Sequence, residues 1–466
     1  MSRNRKKGIF FPPIITLFSF RWGEFSDKFS FVQGELFMAE YLSQAQKEAL
    51  AEKLAESLSL PLPQVTRRRV YGAVTLPGKA TAVVGMRRAG KTSFMNQLRG
   101  ERLAAGVDQT RLPAINFEDE RLAGLTAAHL DFLLEEYGRR VPDSGRQEPV
   151  VWCLDEIQVV PGWECFVRRL LDSGRAEVIA IGSSAALLSR EIATAMRGRA
   201  WEVPLYPFSF EEALLHQGQM VPDDPGFLTG SERAGLERAF LDWLAVGGFP
   251  EVQGLKIGAR RQLLQDYVDV AMLRDIMERH GVSNVTGLRW LVRHLLGNAA
   301  GLFSVEKFHA ALKSQGVAIS RDTAHQLLAH IEDCFLVRTV WMESASERQR
   351  MVNPRKIYPI DHGLIPVYDR SGRGNRGHAL ESAVLIELER RRNSVTYVRT
   401  PDGFEVDFLA RGPADELELI QVCVDASDPA TAGRELRALA EAGDLYPGAT
   451  LRLLTLTRDG APVDTP

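Results

Sequence analysis

No stretch at the start of this chain is expected to cross a bilayer. The apolar run from Gly8 to Phe18 falls far short of the roughly 20 residues a spanning helix needs, and Pro12-Pro13 interrupts any helix there. It follows the basic Arg3-Asn4-Arg5-Lys6-Lys7 and so imitates a secretory leader, yet no small-x-small cleavage site comes after it. Residues 1–38 are therefore expected to be a disordered or spurious extension, with Met38 as an alternative start and no stable membrane association. Cysteine is scarce: Cys153, Cys165, Cys334 and Cys423 lie far apart without C-x-x-C spacing. That pattern argues against a zinc site or a disulfide framework and fits reduced thiols in a cytoplasmic protein. Charge of one sign is missing too, since 57 basic against 60 acidic residues leave −3. A global electrostatic pull toward nucleic acid or acidic lipid is excluded, although a local patch is not. What remains is an ordinary globular composition, 45% hydrophobic and 25% charged, in 466 residues. Such a length calls for roughly two to four domains.

The informative stretch is Gly85-Met86-Arg87-Arg88-Ala89-Gly90-Lys91-Thr92, preceded by the apolar Ala80 to Val84 and followed by Ser93-Phe94-Met95-Asn96-Gln97-Leu98. It reads strand, glycine-rich loop, helix, with the full G-x-x-x-x-G-K-[ST] spacing of a phosphate-binding loop. The glycines let backbone N–H groups close around phosphate oxygens, and the positive end of the next helix faces the same charge. Residues Gly85 to Ser93 are thus expected to bind ATP. Lys91 would reach the β- and γ-phosphates and Thr92 would ligate Mg²⁺.

A phosphate loop needs an acidic partner for the metal and the attacking water. Val150 to Leu154 is a short apolar run ending in Asp155-Glu156, as expected of a buried parallel strand delivering carboxylates at its C-terminal edge. Asp155 is assigned to Mg²⁺ and Glu156 to polarising water. Another strand, Ala176 to Ile181, ends in Gly182-Ser183-Ser184, which places Ser183 either as a sensor of the γ-phosphate or as a helix N-cap. Arg199, in Met196-Arg197-Gly198-Arg199, is either the arginine that neutralises developing charge or a solvated surface arginine. A strand at Leu112 to Phe117, edged by Glu118-Asp119-Glu120, completes a βα alternation that argues a parallel α/β sheet with helices on both faces.

Together Gly85 to Thr92, Asp155-Glu156-Ile157-Gln158, Gly182-Ser183-Ser184, Gly198-Arg199 and Pro207-Phe208-Ser209-Phe210-Glu211-Glu212 resemble the prokaryotic AAA-type ATPases that carry a C-terminal domain of unknown function. The likeness runs over residues 65–425 and implies nucleotide binding, Mg²⁺ at Asp155 and a basic role for Glu156. It names no substrate. The resemblance also implies a helical lid after the core, which the helical periods of residues 230–282, broken at Gly247-Gly248-Phe249-Pro250, fit.

The expected organisation is an extension over 1–38, a helix within 39–64, a P-loop core over 65–215, a lid over 216–283, a winged helix over 284–345 and an endonuclease-like α/β domain over 346–466. Arg67-Arg68-Arg69, at the entry to the core, reads as a solvated basic linker. Two capped helices around Ser304 and Ser320 followed by Leu336 to Trp341 have the order of a winged helix-turn-helix. Arg321, His325 and His330 are its few cations, which favours protein packing over DNA contact. In the last region the helix carrying Glu381, the strand carrying Asp407 and the strand Leu417 to Cys423 resemble a restriction-endonuclease core. Gln421 and Cys423 stand where that core has Glu and Lys, so a fold without working chemistry is expected. The function expected is a slow Mg²⁺-dependent ATP hydrolase acting as a nucleotide-gated switch or remodeller of a protein or DNA partner, with an ATP-dependent DNA-processing nuclease as the alternative. The sequence leaves the oligomeric state open.

Overall fold

A computed structural model of the chain describes residues 29–32, 35–38, 42–142, 149–183, 196, 198–219, 222, 227–317, 319–369 and 375–462. It divides into two compact units, Met1–Gln44 and Ala45–Pro466. In the first, strands β1 (Phe29–Val32) and β2 (Glu35–Met38) form an antiparallel hairpin with Phe29 opposite Met38. The stretch expected to be disordered therefore contains a hairpin, while the leader-like residues 1–28 lie outside the described residues. Helix α1 (Gln44–Ser59) follows, as the leucine and alanine spacing predicts, and Pro61 and Pro63 stand beyond its end.

The larger unit opens on a parallel sheet of five strands in the order β4-β5-β6-β3-β7: β3 (Ala80–Val84), β4 (Ala114–Asn116), β5 (Val150–Asp155), β6 (Ala176–Gly182) and β7 (Ala200–Pro204). β3 and β5 are buried along their whole lengths, which is why each reads as an unbroken apolar run. Helices α2 (Lys91–Ala104), α3 (Asp131–Arg140) and α4 (Trp163–Asp172) flank the sheet. α4 buries Trp163, Phe166, Val167 and Leu170, one face at helical spacing, and packs on β6. The register matters for the site: Val84 pairs with Gly182 and Asp155 with Ile181. One sheet edge thus gathers the start of the phosphate loop, the β6 end with Ser183, and Asp155-Glu156.

Beyond β7 the chain is helical: α5 (Phe210–His216), α6 (Gly230–Val246) and α7 (Ile257–Val270), the last continuing into π-helical turns over Ala271–Glu278. The break between α6 and α7 has a physical anchor. Asp361 accepts hydrogen bonds from the N–H of Gly248 at 2.5 Å and of Gly363 at 2.9 Å, and Phe208 N–H donates to the Gly248 carbonyl at 2.6 Å.

Next come α8 (Val285–Gly297), β8 (Leu302–Phe303), α9 (Val305–Ser314), α10 (Arg321–Asp333), β9 (Val337–Met342) and β10 (Arg355–Pro359). Then follow α11 (Arg376–Arg390), β11 (Ser394–Arg399), β12 (Glu405–Arg411), β13 (Leu417–Cys423), α12 (Pro429–Leu445) and β14 (Thr450–Thr455). These strands make one sheet of seven, β14-β13-β12-β11-β9-β10-β8. The boundary expected between residues 345 and 346 falls between the two antiparallel strands β9 and β10, and β9 pairs in parallel with β11 at Trp341 and Thr396. Residues 284–345 and 346–466 accordingly share a sheet rather than standing as separate modules.

Candidate nucleotide site

The phosphate loop is bent by constraints that only glycine meets at its two ends. A Cβ on Gly85 would lie 2.2 Å from the Leu205 carbonyl oxygen, because β7 leaves the sheet against the loop. Gly90 takes φ +96° as the N-cap of α2. Met86 and Ala89 are buried beneath the loop, whereas Arg88, Thr92 and Ser93 are exposed. Lys91 is buried, and its ammonium donates to the carbonyls of Gly85 and Met86, both at 3.0 Å. Burial pushes its pKa down, and Glu156 and Asp155 oppose that shift. All nine residues, Gly85 to Ser93, lie between the end of β3 and the first turn of α2.

Asp155 is brought to the loop as expected. One of its carboxylate oxygens accepts the Thr92 hydroxyl at 2.8 Å and lies 3.4 Å from the Asn116 amide. Burial raises its pKa to about 6, against the stabilising Thr92 hydrogen bond. A hydroxyl and a carboxylate side by side are the hard oxygen donors Mg²⁺ takes, so these residues fit that ion. Glu156 follows in the left-handed region at φ 53°, its N–H held by the Ile181 carbonyl at 2.9 Å, and its carboxylate accepts from the Gln158 amide.

Two sequence expectations change. Ser183 is fully buried and donates to Asp275 at 3.0 Å, a residue of the π-helical segment; Ser184 and the expected helix after it lie outside the described residues. Arg199 stands just before β7, whose Ala200 pairs with Ala80 at the start of β3. That is the edge of a parallel sheet opposite to the loop, and Arg199 pairs with exposed Asp172 there. It is therefore removed from the phosphates of its own loop.

Three groups have partners that the sequence did not reveal. Arg87, inside the loop, has its Nε 3.0 and 3.1 Å from the two Asp275 oxygens and its Nη1 2.5 Å from Glu118. Arg68 corrects the solvated-linker reading. It is buried and donates to the Ala89 carbonyl at 2.8 Å and the Tyr206 carbonyl at 2.5 Å, with its Nε 3.1 Å from Glu212. Glu212 also accepts the Arg69 N–H at 2.7 Å and lies 3.5 Å from Arg390 of α11. Burial would raise the Glu212 pKa, but Arg68 and Arg390 outweigh it and the net shift is downward. The third group is Lys356 of β10, 2.9 Å from Asp407 and 2.8 Å from Glu405. A cation thus stands beside Asp407 after all, supplied by a strand other than the one inspected in the sequence. The other Asp407 oxygen accepts the Val422 N–H at 3.0 Å, and Gln421 donates to Glu435 at 2.8 Å. Glu381, pushed up to about 8 by burial and by the Asp407 charge, accepts the Tyr358 hydroxyl at 3.3 Å. Among the described residues no group of three or more His, Cys, Asp or Glu side chains is arranged to hold a metal.

A parallel sheet with a glycine-rich phosphate loop after one strand and an acidic pair after another defines a P-loop protein of the AAA type. The AAA domain family matches residues 77–214, and a domain of unknown function (DUF8612) matches residues 237–370. An uncharacterized protein of Methanocaldococcus jannaschii is 31% identical over 392 residues, covering 83% of this chain and 84% of that one. Another uncharacterized protein, from Haemophilus influenzae, is 30% identical over 345 residues, covering 74% and 82%. This chain belongs to the same family of AAA-domain proteins. Among solved structures, the Walker-type ATPase of Pyrococcus abyssi matches with a TM-score of 0.36 at 15% identity over 69% of this chain and 95% of that one. The ORC1 protein of Aeropyrum pernix, solved in complex with DNA, matches with a TM-score of 0.28 at 13% identity over 70% and 92%. Among the described residues no helix is long and apolar enough to cross a membrane.

Proposed function

We propose that this chain binds and slowly hydrolyses ATP with Mg²⁺, and that nucleotide occupancy gates its hold on a partner. The observation carrying this reading is the Thr92 hydroxyl donating to Asp155 at 2.8 Å at the mouth of the phosphate loop. Bound there, Mg²⁺ supplies neutralisation of charge on the transferring phosphoryl group. Lys91 exchanges the Gly85 and Met86 carbonyls for phosphate oxygens, and Glu156, fixed by its own backbone and by Gln158, takes the proton of the attacking water.

The order α8, β8, α9, α10, β9, β10, with β10 between β8 and β9, supports a winged helix in residues 285–359. Its Arg321 is held 3.0 Å from Glu306, which favours contact with protein over a phosphate backbone. The C-terminal strands are read as an endonuclease-like fold without cleavage chemistry, since neutral Gln421 stands where that core has a carboxylate and its amide is engaged by Glu435.

The test is Glu156→Gln. This variant should retain ATP yet turn it over at least about a hundredfold more slowly, the scale of a lost general base, and should then serve as bait. Wild-type turnover in the variant would move the base elsewhere, to Glu118 or Asp119. Nucleotide-dependent capture of a protein with no stimulation by DNA supports the switch; DNA-stimulated turnover makes the partner nucleic acid.

A further inference from the structure

The segment Ala271–Glu278 is π-helical over eight residues, a rare geometry that widens the helix and redirects its side chains. Its Asp275 side chain is only 1% exposed. A buried carboxylate costs several kcal/mol unless it is paired, and two of its partners come from the candidate nucleotide site, Arg87 with both oxygens and Ser183 at 3.0 Å, while Arg279 stands 3.8 Å away on its own helix. Arg87 has five N–H donors. Asp275 takes Nε and Glu118 takes one on Nη1, and among the described residues no protein acceptor holds Nη2. The guanidinium is close enough to Lys91 and Glu156 to interact with both charges, so it sits where the ammonium and the acidic pair converge.

We propose that Arg87 is the arginine that contacts the terminal phosphate of ATP, and that Asp275 is the positioning residue that aims it. Arg87 takes the role the sequence offered to Arg199, from within the same chain and the same loop. One guanidinium has donors enough to bridge Asp275 and a phosphate, whereas Ser183 has a single hydroxyl hydrogen and gives it to Asp275. The helical segment therefore reports on the terminal phosphate through Arg87. ADP lacks that phosphate and leaves the arginine with its carboxylates alone.

This inference rests on the ATP reading above, and the experiment separates the two. ATP and ADP affinities and steady-state turnover are measured for wild type, Arg87→Ala, Asp275→Asn and Asp275→Glu. Arg87→Ala should lower kcat at least about a thousandfold, the modest end of what a charge-neutralising arginine supplies. Asp275→Asn should lower kcat about tenfold with ADP affinity within about threefold, a loss confined to the transition state. Asp275→Glu, which restores the carboxylate, should recover part of that loss, and the double variant Arg87→Ala/Asp275→Asn should be no slower than Arg87→Ala. Normal kcat in Arg87→Ala, or equal losses of ADP and ATP affinity in Asp275→Asn, overturns the proposal and leaves Asp275 as a structural ion pair. A wild type that binds ATP without turnover defeats the hydrolysis reading instead. In that event Arg87→Ala must still lose any preference for ATP over ADP, and an unchanged preference overturns the assignment.

Discussion

Replacing Glu212 by Gln removes one charge from a buried cluster while keeping the atoms that cap α5. The Ser209 and Glu212 side chains form a reciprocal capping box, and Gln is as able as Glu to accept the Ser209 N–H. What the change deletes is the counter-charge for two guanidinium groups, together with the oxygen that accepts the Arg69 N–H. Arg390 keeps a carboxylate, since its Nε lies 3.1 Å from Glu387, and keeps the Pro207 carbonyl at 2.7 Å. Arg68, whose side chain is 1% exposed, is left with the carbonyls of Ala89 and Tyr206 and no carboxylate. Breaking a buried pair from one side costs about 3–5 kcal/mol, and the surviving acceptors put this case at the lower end, about 3 kcal/mol. With a urea slope of about 3 kcal/mol/M the unfolding midpoint should fall by about 1 M. Replacing both partners with apolar residues, Arg68→Met with Glu212→Leu, should recover most of the loss, because no orphan charge remains. The pH dependence has a definite sign. A carboxyl whose pKa is lowered on folding contributes stability at neutral pH that is lost as the pH falls through the acid range. Chemical denaturation followed by circular dichroism reads all of this. If Glu212→Gln stays within about 1 kcal/mol of wild type, Glu212 is not the counter-ion that holds Arg68 under the phosphate loop.

The C-terminal region should leave plasmid, linear duplex and single strands intact under Mg²⁺ or Mn²⁺, with or without ATP; cleavage by wild type that disappears in Asp407→Ala would promote the nuclease alternative. His280 and His330 stack with ring centroids 3.8 Å apart, and burial, with the neighbouring charge second, lowers the His280 pKa to about 4. The fold thus takes up fewer protons here than the unfolded chain between about pH 6.5 and 4, so this contribution to stability is lost as pH falls through that window. Thermal melting from pH 7.5 to 5 should show a flatter acid-side decline in His330→Gln than in wild type, and identical slopes would contradict the pairing.

Much of the nucleotide site was legible because its chemistry is local. Gly85 to Thr92 are contiguous, and β5 announces itself by six buried residues ending in Asp155. β7 was not legible: Ala200-Trp201-Glu202-Val203-Pro204 mixes polar and apolar residues, as an edge strand does, and reads as no strand at all. Missing it also left Arg199 free to be placed near the phosphates. Asp275 gave no signal, since an acidic residue in an amphipathic stretch reads as a solvated face and π-helical turns leave no distinct period. Arg68 misled for the related reason that a basic triplet reads as solvent-exposed, although its partners Glu212 and Arg390 are far along the chain. Lys356 gave no signal, because its pairing with Asp407 depends on β9 and β10 joining the sheet of β11 to β14. Register between distant strands is not written in local pattern.

The central claim is that Gly85 to Ser93 hold ATP through Lys91, and titration calorimetry of Mg²⁺-ATP into wild type and Lys91→Ala tests it directly. Wild type should give a saturable heat of binding and Lys91→Ala should give none, because the ammonium now resting on the Gly85 and Met86 carbonyls is the group that turns to the phosphates. Equal affinity in the two proteins would contradict the account.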